Sequence, residues 1–141
     1  VWKGYCHVHT GFTIEHVRQV RARYPGVQVI VHPECPVDVV QAADDYGSTA
    51  AILRYVADAP PGAVIAVGTE INMVARLADQ FPDKTVVPLT RSLCGAMYRT
   101  TPVGLRDVLQ SLVAGAPVNV ITVDAETTRW ANLALQRMLD L

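Results

Sequence analysis

The sequence predicts an α/β fold, with a parallel sheet held between helices in three αβα layers. Three observations predict it. Short apolar runs at residues 27–31, 63–67, 85–89 and 118–123 read as strands, the first of them covered on both faces. The segments between them carry apolar residues at three- and four-residue spacing, the period of a helix packed on one side. Strand and helix signals alternate along the chain, which calls for crossovers between parallel neighbours.

Length and charge narrow the classes. The chain has 141 residues, enough for one domain or one domain with pieces of a neighbour. A globule of that size buries about two thirds of its unfolded surface, so disulfide staples are not needed. The formal net charge is -1 and no basic stripe is present, which argues against a nucleic-acid partner. No apolar run reaches the ~20 residues of a membrane span, and no signal peptide is visible. Cys6, Cys35 and Cys94 are an odd, widely spaced set, which fits a reducing cytoplasm better than a disulfide framework. The chain opens on Val1-Trp2-Lys3-Gly4 without an initiator Met, in what reads as the end of a strand. The N-terminal part of a longer protein is therefore expected to precede it.

Taken in order, residues 5–9 alternate, putting Tyr5, His7 and His9 on one side and Cys6 and Val8 on the other. Thr13 is placed to cap a helix whose inner face is Ile14, Val17, Val20 and Tyr24, and Pro25-Gly26 ends it. The strand at 27–31 stops on His32-Pro33-Glu34-Cys35, because Pro33 cannot continue the ladder. Pro36 suits the first turn of a short helix turning Val37, Val40 and Ala43 inward. Residues 44–49 break the pattern, and a helix with Ile52, Leu53 and Val56 inside follows Gly47-Ser48-Thr49. The strand at 63–67 ends in Gly68-Thr69-Glu70, and the next helix buries Met73, Val74, Leu77 and Phe81. A strand at 85–89 leads to Cys94. Thr101-Pro102 opens a helix with Leu105, Val108, Leu109 and Leu112 inside and Gly115 closing it. A last strand at 118–123 precedes a helix capped by Asp124, with Trp130, Leu133, Ala134 and Met138 on its inner side.

On this map, Cys6 to His9, His32 to Cys35, Thr69-Glu70 and Cys94 all fall at or just past strand C-termini. That is the edge where open α/β sheets bind ligands. Cys6 and His9 form a Cys-x-x-His pair that reads either as metal ligands or as a buried cysteine beside a surface histidine. Cys94, before a small-residue turn, reads as a ligand thiolate or as a free core cysteine. His32 and Glu34 flank Pro33; in an extended segment they point the same way, as a general acid/base pair would. Cys35 reads as packing. Ser48 and Thr49 offer hydroxyls at a helix start, either an anion cradle or an ordinary cap, and at Thr69-Glu70 the cap is the stronger reading. His7 and His16 read as surface residues, Met73 and Met138 as core, and Met97 as lining a pocket beside Cys94.

The motifs together resemble a known family. Trp-Lys-Gly-Tyr-Cys-His-Val-His, then Val-His-Pro-Glu-Cys-Pro, Gly-Ser-Thr, Gly-Thr-Glu, Leu-Cys-Gly-Ala-Met and Ala-Leu-Gln-Arg-Met-Leu are similar, in order, to quinolinate synthase A. The resemblance implies an enzyme that condenses iminoaspartate with dihydroxyacetone phosphate to quinolinate, the pyridine precursor of NAD, with L-aspartate oxidase as functional partner. It implies a [4Fe-4S] cluster held by three cysteines, one from each of three similar α/β domains around a pseudo-threefold axis, with one iron open to substrate. Cys6 and Cys94 would be two of these ligands; the third lies outside this chain, so this piece alone is expected to be inactive. On that plan residues 1–9 end the second domain, 10–97 form the third, and 98–141 pack back as a C-terminal segment. Glu34 is then the leading general base/acid, His32 its partner, His9 a neighbour of the bound substrate, and Ser48 and Thr49 the holders of a carboxylate or phosphate. Two competing readings remain: a non-catalytic anion-binding α/β module, and a zinc protein using Cys6, His9 and His32.

Overall fold

Four parallel strands, β1 (Gln28–Val31), β2 (Asp45–Tyr46), β3 (Val64–Gly68) and β4 (Thr85–Pro88), form one sheet in the order β2-β1-β3-β4. The computed structural model describes residues 4–140, and the chain divides between Met97 and Tyr98 into two compact units. The sheet belongs to the first. Its helices are α1 (His7–Thr10), α2 (Ile14–Arg23), α3 (Val37–Ala42), α4 (Thr49–Asp58) and α5 (Ile71–Gln80). Strand pleating sorts them into layers. Val29, Val31 and Ala66 point to one face, where they pack with Phe12, Val17, Val20 and Val39 of the α2 and α3 side. Ile30, Ile65, Val67 and Val86 point to the other, against Ile52 and Val56 of α4 and Val74 and Leu77 of α5. The predicted three-layer α/β architecture is therefore the one observed.

The order of strands fixes where a ligand can bind. From β1 the chain moves outward to β2, then crosses back over β1 to β3 and on to β4. Direction reverses between β1 and β3, so crossovers of one hand place α3 and α4 on opposite faces and leave a crevice at that point. The crevice is closely built. Gly68 ends β3 with no side chain, and a Cβ there would meet Val31 Cγ1 at 2.7 Å and Leu89 Cδ2 at 3.2 Å. Its carbonyl accepts the His32 N–H at 3.2 Å, joining the ends of β1 and β3.

Several local expectations are corrected. The strand expected at the start falls partly on residues outside the described ones, and where description begins the chain is irregular and then helical. Residues 5–9 do not alternate across a sheet: Cys6 is the N-cap of the single turn α1, and Val8 and His9 are both buried. Thr13 caps α2 as expected, but His16 returns the favour, its Nδ1 accepting the Thr13 N–H at 3.1 Å. On α3 the buried residue is Val39, while Val37 is exposed, since Pro36 is the N-cap and not the first helical residue. Residues 45–46 form the edge strand β2 where a break was expected, held by the Asp44 N–H to Val29 and the Gly47 N–H to Val31.

The second unit contains α6 (Pro102–Val113) and α7 (Ala125–Leu139), capped by Thr101 and Asp124 as the sequence predicts. Gly115 follows α6 at φ 68°, a left-handed turn that suits glycine. The predicted strand at 118–123 is absent: those residues pair with no strand among the described residues. Ser111 ties the connector down instead, its Oγ accepting the Val118 N–H at 3.2 Å. The faces expected to be internal are not: Leu105, Leu109 and Leu112 on α6 and Trp130, Leu133 and Met138 on α7 are exposed. Two helices and a connector enclose no core of their own.

Candidate functional site

Pro33 builds the site. It stands second in a four-residue turn, the position its fixed φ favours, and the Cys35 N–H closes the turn on the His32 carbonyl at 3.0 Å. The segment is thus a turn, not the extended stretch expected, yet it delivers His32 and Glu34 to one place. Both meet His9, carried in from α1 by a turn that Val8 and Phe12 anchor in the interior. The His9 Nδ1–H donates to Glu34 Oε2 at 2.8 Å, and its Nε2 receives the Thr69 hydroxyl at 3.1 Å. The His9 and His32 rings stack with centroids 4.1 Å apart and 6° between planes.

These contacts assign protons. His32 Nδ1 accepts the Glu34 N–H at 3.2 Å, which leaves the other nitrogen to carry the ring proton. Burial lowers the His32 pKa, and charge on His9 lowers it further, against the opposing pull of Glu34. His32 is therefore a neutral imidazole at neutral pH, with one N–H to give. The Glu34 side chain is half-exposed, its Oε2 lying 2.8 Å from His9 Nδ1 and 3.6 Å from His32 Nδ1.

Thr69 is the functional residue that sequence reasoning missed. The cap expected at Thr69-Glu70 is present and is Glu70, whose carboxylate accepts both the backbone N–H of Asn72 at 2.8 Å and its side-chain amide at 3.0 Å. That frees Thr69, buried at the C-terminal end of β3, to orient His9. Its place directly across the β1/β3 crevice from His32 was the available signal. Ser92 is a second addition with no sequence signal: its hydroxyl donates to the Val8 carbonyl at 2.9 Å, tying the segment before Cys94 to α1.

The remaining candidates are spread more widely. Ser48 acts as the N-cap of α4, accepting the Ala51 N–H at 3.3 Å. Thr49 lines a cavity of about 410 Å³ together with Thr69, Arg76 and Met97. Thr69 touches both that cavity and His9, so the two are contiguous, and Arg76 gives the cavity wall a cation. Another hollow of about 420 Å³, beside Arg23 and Pro88, carries none of the groups singled out by the sequence.

Cys6, His9 and Glu34 bring one donor atom each within 4.8 Å of one another, the one such group among the described residues. His32 is outside that set, so the zinc trio expected from sequence, with His32 in it, is not the trio that gathers. Cys94 is also outside it. Cys6 and Cys94 are both half-buried free thiols, whereas Cys35 is buried in the core beneath the crevice. Burial pushes the Cys35 thiol up to about 11, despite its contact with the His32 turn. At pH 8 it then carries about a hundredfold less thiolate than an ordinary cysteine. Native Cys35 is expected to react with iodoacetamide at least that much more slowly than in the denatured chain, read by peptide mass spectrometry; equal rates would contradict a core thiol.

Comparison with known proteins gives one consistent result. The family model described as "Quinolinate synthetase A protein" matches residues 1–140. Curated quinolinate synthases from Acidobacterium capsulatum and Corynebacterium glutamicum are 47% and 46% identical to the chain over its full length. One from Halobacterium salinarum (strain R1) is 48% identical, again over the full chain. The chain spans 39%, 36% and 38% of those three proteins, respectively.

Proposed function

Because the chain belongs to the quinolinate synthetase A family, we propose that it carries one wall of a quinolinate synthase active site, centred on Glu34, His9 and His32. The whole protein then condenses iminoaspartate with dihydroxyacetone phosphate to quinolinate in the cytoplasm, on the route to NAD. L-aspartate oxidase is the functional partner that would supply the imine. The observation supporting this reading is the convergence of a carboxylate and two imidazoles on the β1/β3 crevice, the kind of switch point at which open α/β sheets bind ligands.

The donor chemistry fits a thiolate-held [4Fe-4S] cluster. Cys6 and Cys94 are reachable thiols on segments joined by the Ser92 bond, and Cys35 is withdrawn as a neutral core thiol. Cys6 and Cys94 would hold it, with a third cysteine from outside this chain. When bound, such a cluster supplies a Lewis-acidic iron with an open position. Glu34 takes a proton from the carbon or nitrogen that must lose one, and His9 holds that carboxylate in place. His32 donates its remaining N–H to a substrate oxygen. Thr49 and Arg76 receive a carboxylate or phosphate in the adjoining cavity, Ser48 contributing through the cap that fixes the helix start. Condensation, ring closure and loss of water need repeated proton transfer at neighbouring atoms, which suits groups already in contact.

The test is iron and acid-labile sulfide per chain in the full-length parent purified without oxygen, beside Cys94→Ser. A near-stoichiometric cluster in the parent that is lost in the variant is expected. Iron and sulfide unaffected by the substitution would remove the ligand assignment.

A further inference from the structure

Past Leu89, whose N–H bonds the Val67 carbonyl of β3 at 3.0 Å, the chain leaves the sheet and runs irregularly to Cys94. Among the described residues, the hydrogen bonds that next hold it are both at Ser92. The Ser92 hydroxyl donates to the Val8 carbonyl at 2.9 Å, and the Ser92 carbonyl accepts the Ile71 N–H at 2.9 Å. We propose that Ser92 is a positioning residue: its hydroxyl holds the Cys94 segment against the Cys6–His9 turn, so that the two thiols meet a cluster as a prearranged pair.

Each bond at Ser92 fills a gap that a helix end leaves. α1 is one turn long, and the Phe12 N–H, which would reach the Val8 carbonyl in a continued helix, goes to His9 at 3.2 Å instead. Val8 is buried, so its carbonyl needs a partner within the protein, and the Ser92 hydroxyl supplies it. Ile71 opens α5, so its N–H has no acceptor inside the helix. The Glu70 carboxylate is engaged by Asn72, which leaves Ile71 to the Ser92 carbonyl. Val8 lies between Cys6 and His9, Ile71 just beyond Thr69-Glu70, and Ser92 just before Cys94. The α1 turn carries His9, and the end of β3 carries the Thr69 hydroxyl that orients it. Both supports of His9 are therefore joined to the Cys94 segment through one residue. Ligands held in place by such outer contacts engage a shared group with less ordering than ligands that must be gathered. The inference rests on the cluster reading for what the thiols hold; the tie at Ser92 does not depend on it.

The experiment uses the full-length parent, purified without oxygen, with two readouts. One is the rate at which a ferrous chelator removes iron from the loaded protein; the other is hydrogen exchange of the metal-free protein, read in the peptide that spans Ile71. Ser92→Ala and Ser92→Val should release iron about five- to a hundredfold faster, the effect of leaving a buried carbonyl without its donor. In the same two variants the Ile71 peptide should exchange faster by a similar factor while the peptides of β1 keep the parent rate. Ser92→Thr retains the hydroxyl and should restore both readouts. Ser111→Ala removes a bond of the same kind in the second unit, from the Ser111 hydroxyl to the Val108 carbonyl at 2.7 Å, and should leave both unchanged. Parent-like release and exchange in Ser92→Ala and Ser92→Val would overturn the proposal. So would a Ser92→Thr that behaves like Ser92→Val, or iron release in Ser111→Ala as fast as in Ser92→Ala. Should circular dichroism show Ser92→Ala misfolded, the nearly isosteric pair Ser92→Thr and Ser92→Val decides; a folded Thr variant beside an unfolded Val variant would make the hydroxyl a general stability element and overturn its positioning role. Failure of the cluster reading shows separately, as iron and sulfide unaffected in Cys94→Ser, and takes iron retention with it while the exchange comparison still decides the tie.

Discussion

Glu34→Gln in the full-length parent is expected to lower turnover by roughly 10²- to 10⁴-fold, the usual contribution of a positioned general acid/base group. Glutamine is nearly the same size, and its amide oxygen can still take the His9 Nδ1–H that Glu34 accepts at 2.8 Å. The turn, the ring stack and the hydrogen bond are therefore kept while the basicity is lost. Iron and sulfide per chain should stay at the parent level, which separates a lost proton acceptor from a lost cluster. Steady-state kinetics on anaerobically purified protein decides it: turnover within a few-fold of the parent, with metal content intact, would strip Glu34 of its role. A fall in turnover matched by a fall in iron would move Glu34 from proton transfer to metal retention.

Ile65→Ala is expected to lower the local stability of the sheet by about 2–5 kcal/mol. Ile65 is fully buried, in register with Gln28 of β1 and Val86 of β4, and packs with side chains of α4 and α5. Truncation removes three carbons from a place where four elements meet and where little can collapse inward. Native-state hydrogen exchange in the full-length parent reads the effect where it acts, in the slowest amides of β1 and β3. Val37→Ala provides the contrast. Val37 was expected inside but is exposed, so the same kind of truncation should cost less than about 0.5 kcal/mol. Equal losses at the two positions would mean that this core is wrongly drawn.

The fold was legible because the first unit obeys simple periods. Residues 28–31 and 64–68 are apolar at nearly every position, and both faces of these strands are in fact covered. The misses have definable causes. β2 is two exposed residues at a sheet edge, too short and too polar to read as a strand. Residues 5–9 alternate like a strand, but one helical turn buries Val8 and His9 side by side, and so short a turn has no period to detect. Residues 118–123 have the composition of a strand but no partner strand among the described residues, and composition cannot supply one. In the site, proximity to strand C-termini picked out His32, Glu34 and His9. It could not show that Pro33 closes a turn, nor that Thr69 is released by its neighbour's cap. Those facts depend on which atom wins a shared hydrogen bond.

The stacked imidazoles limit how much the crevice can store. Two positive rings 4.1 Å apart would repel by on the order of 4 kcal/mol at an effective dielectric of about 20. The stack therefore disfavours charge on both rings at once, and Glu34 Oε2 lies 2.8 Å from His9 Nδ1 and 3.6 Å from His32 Nδ1.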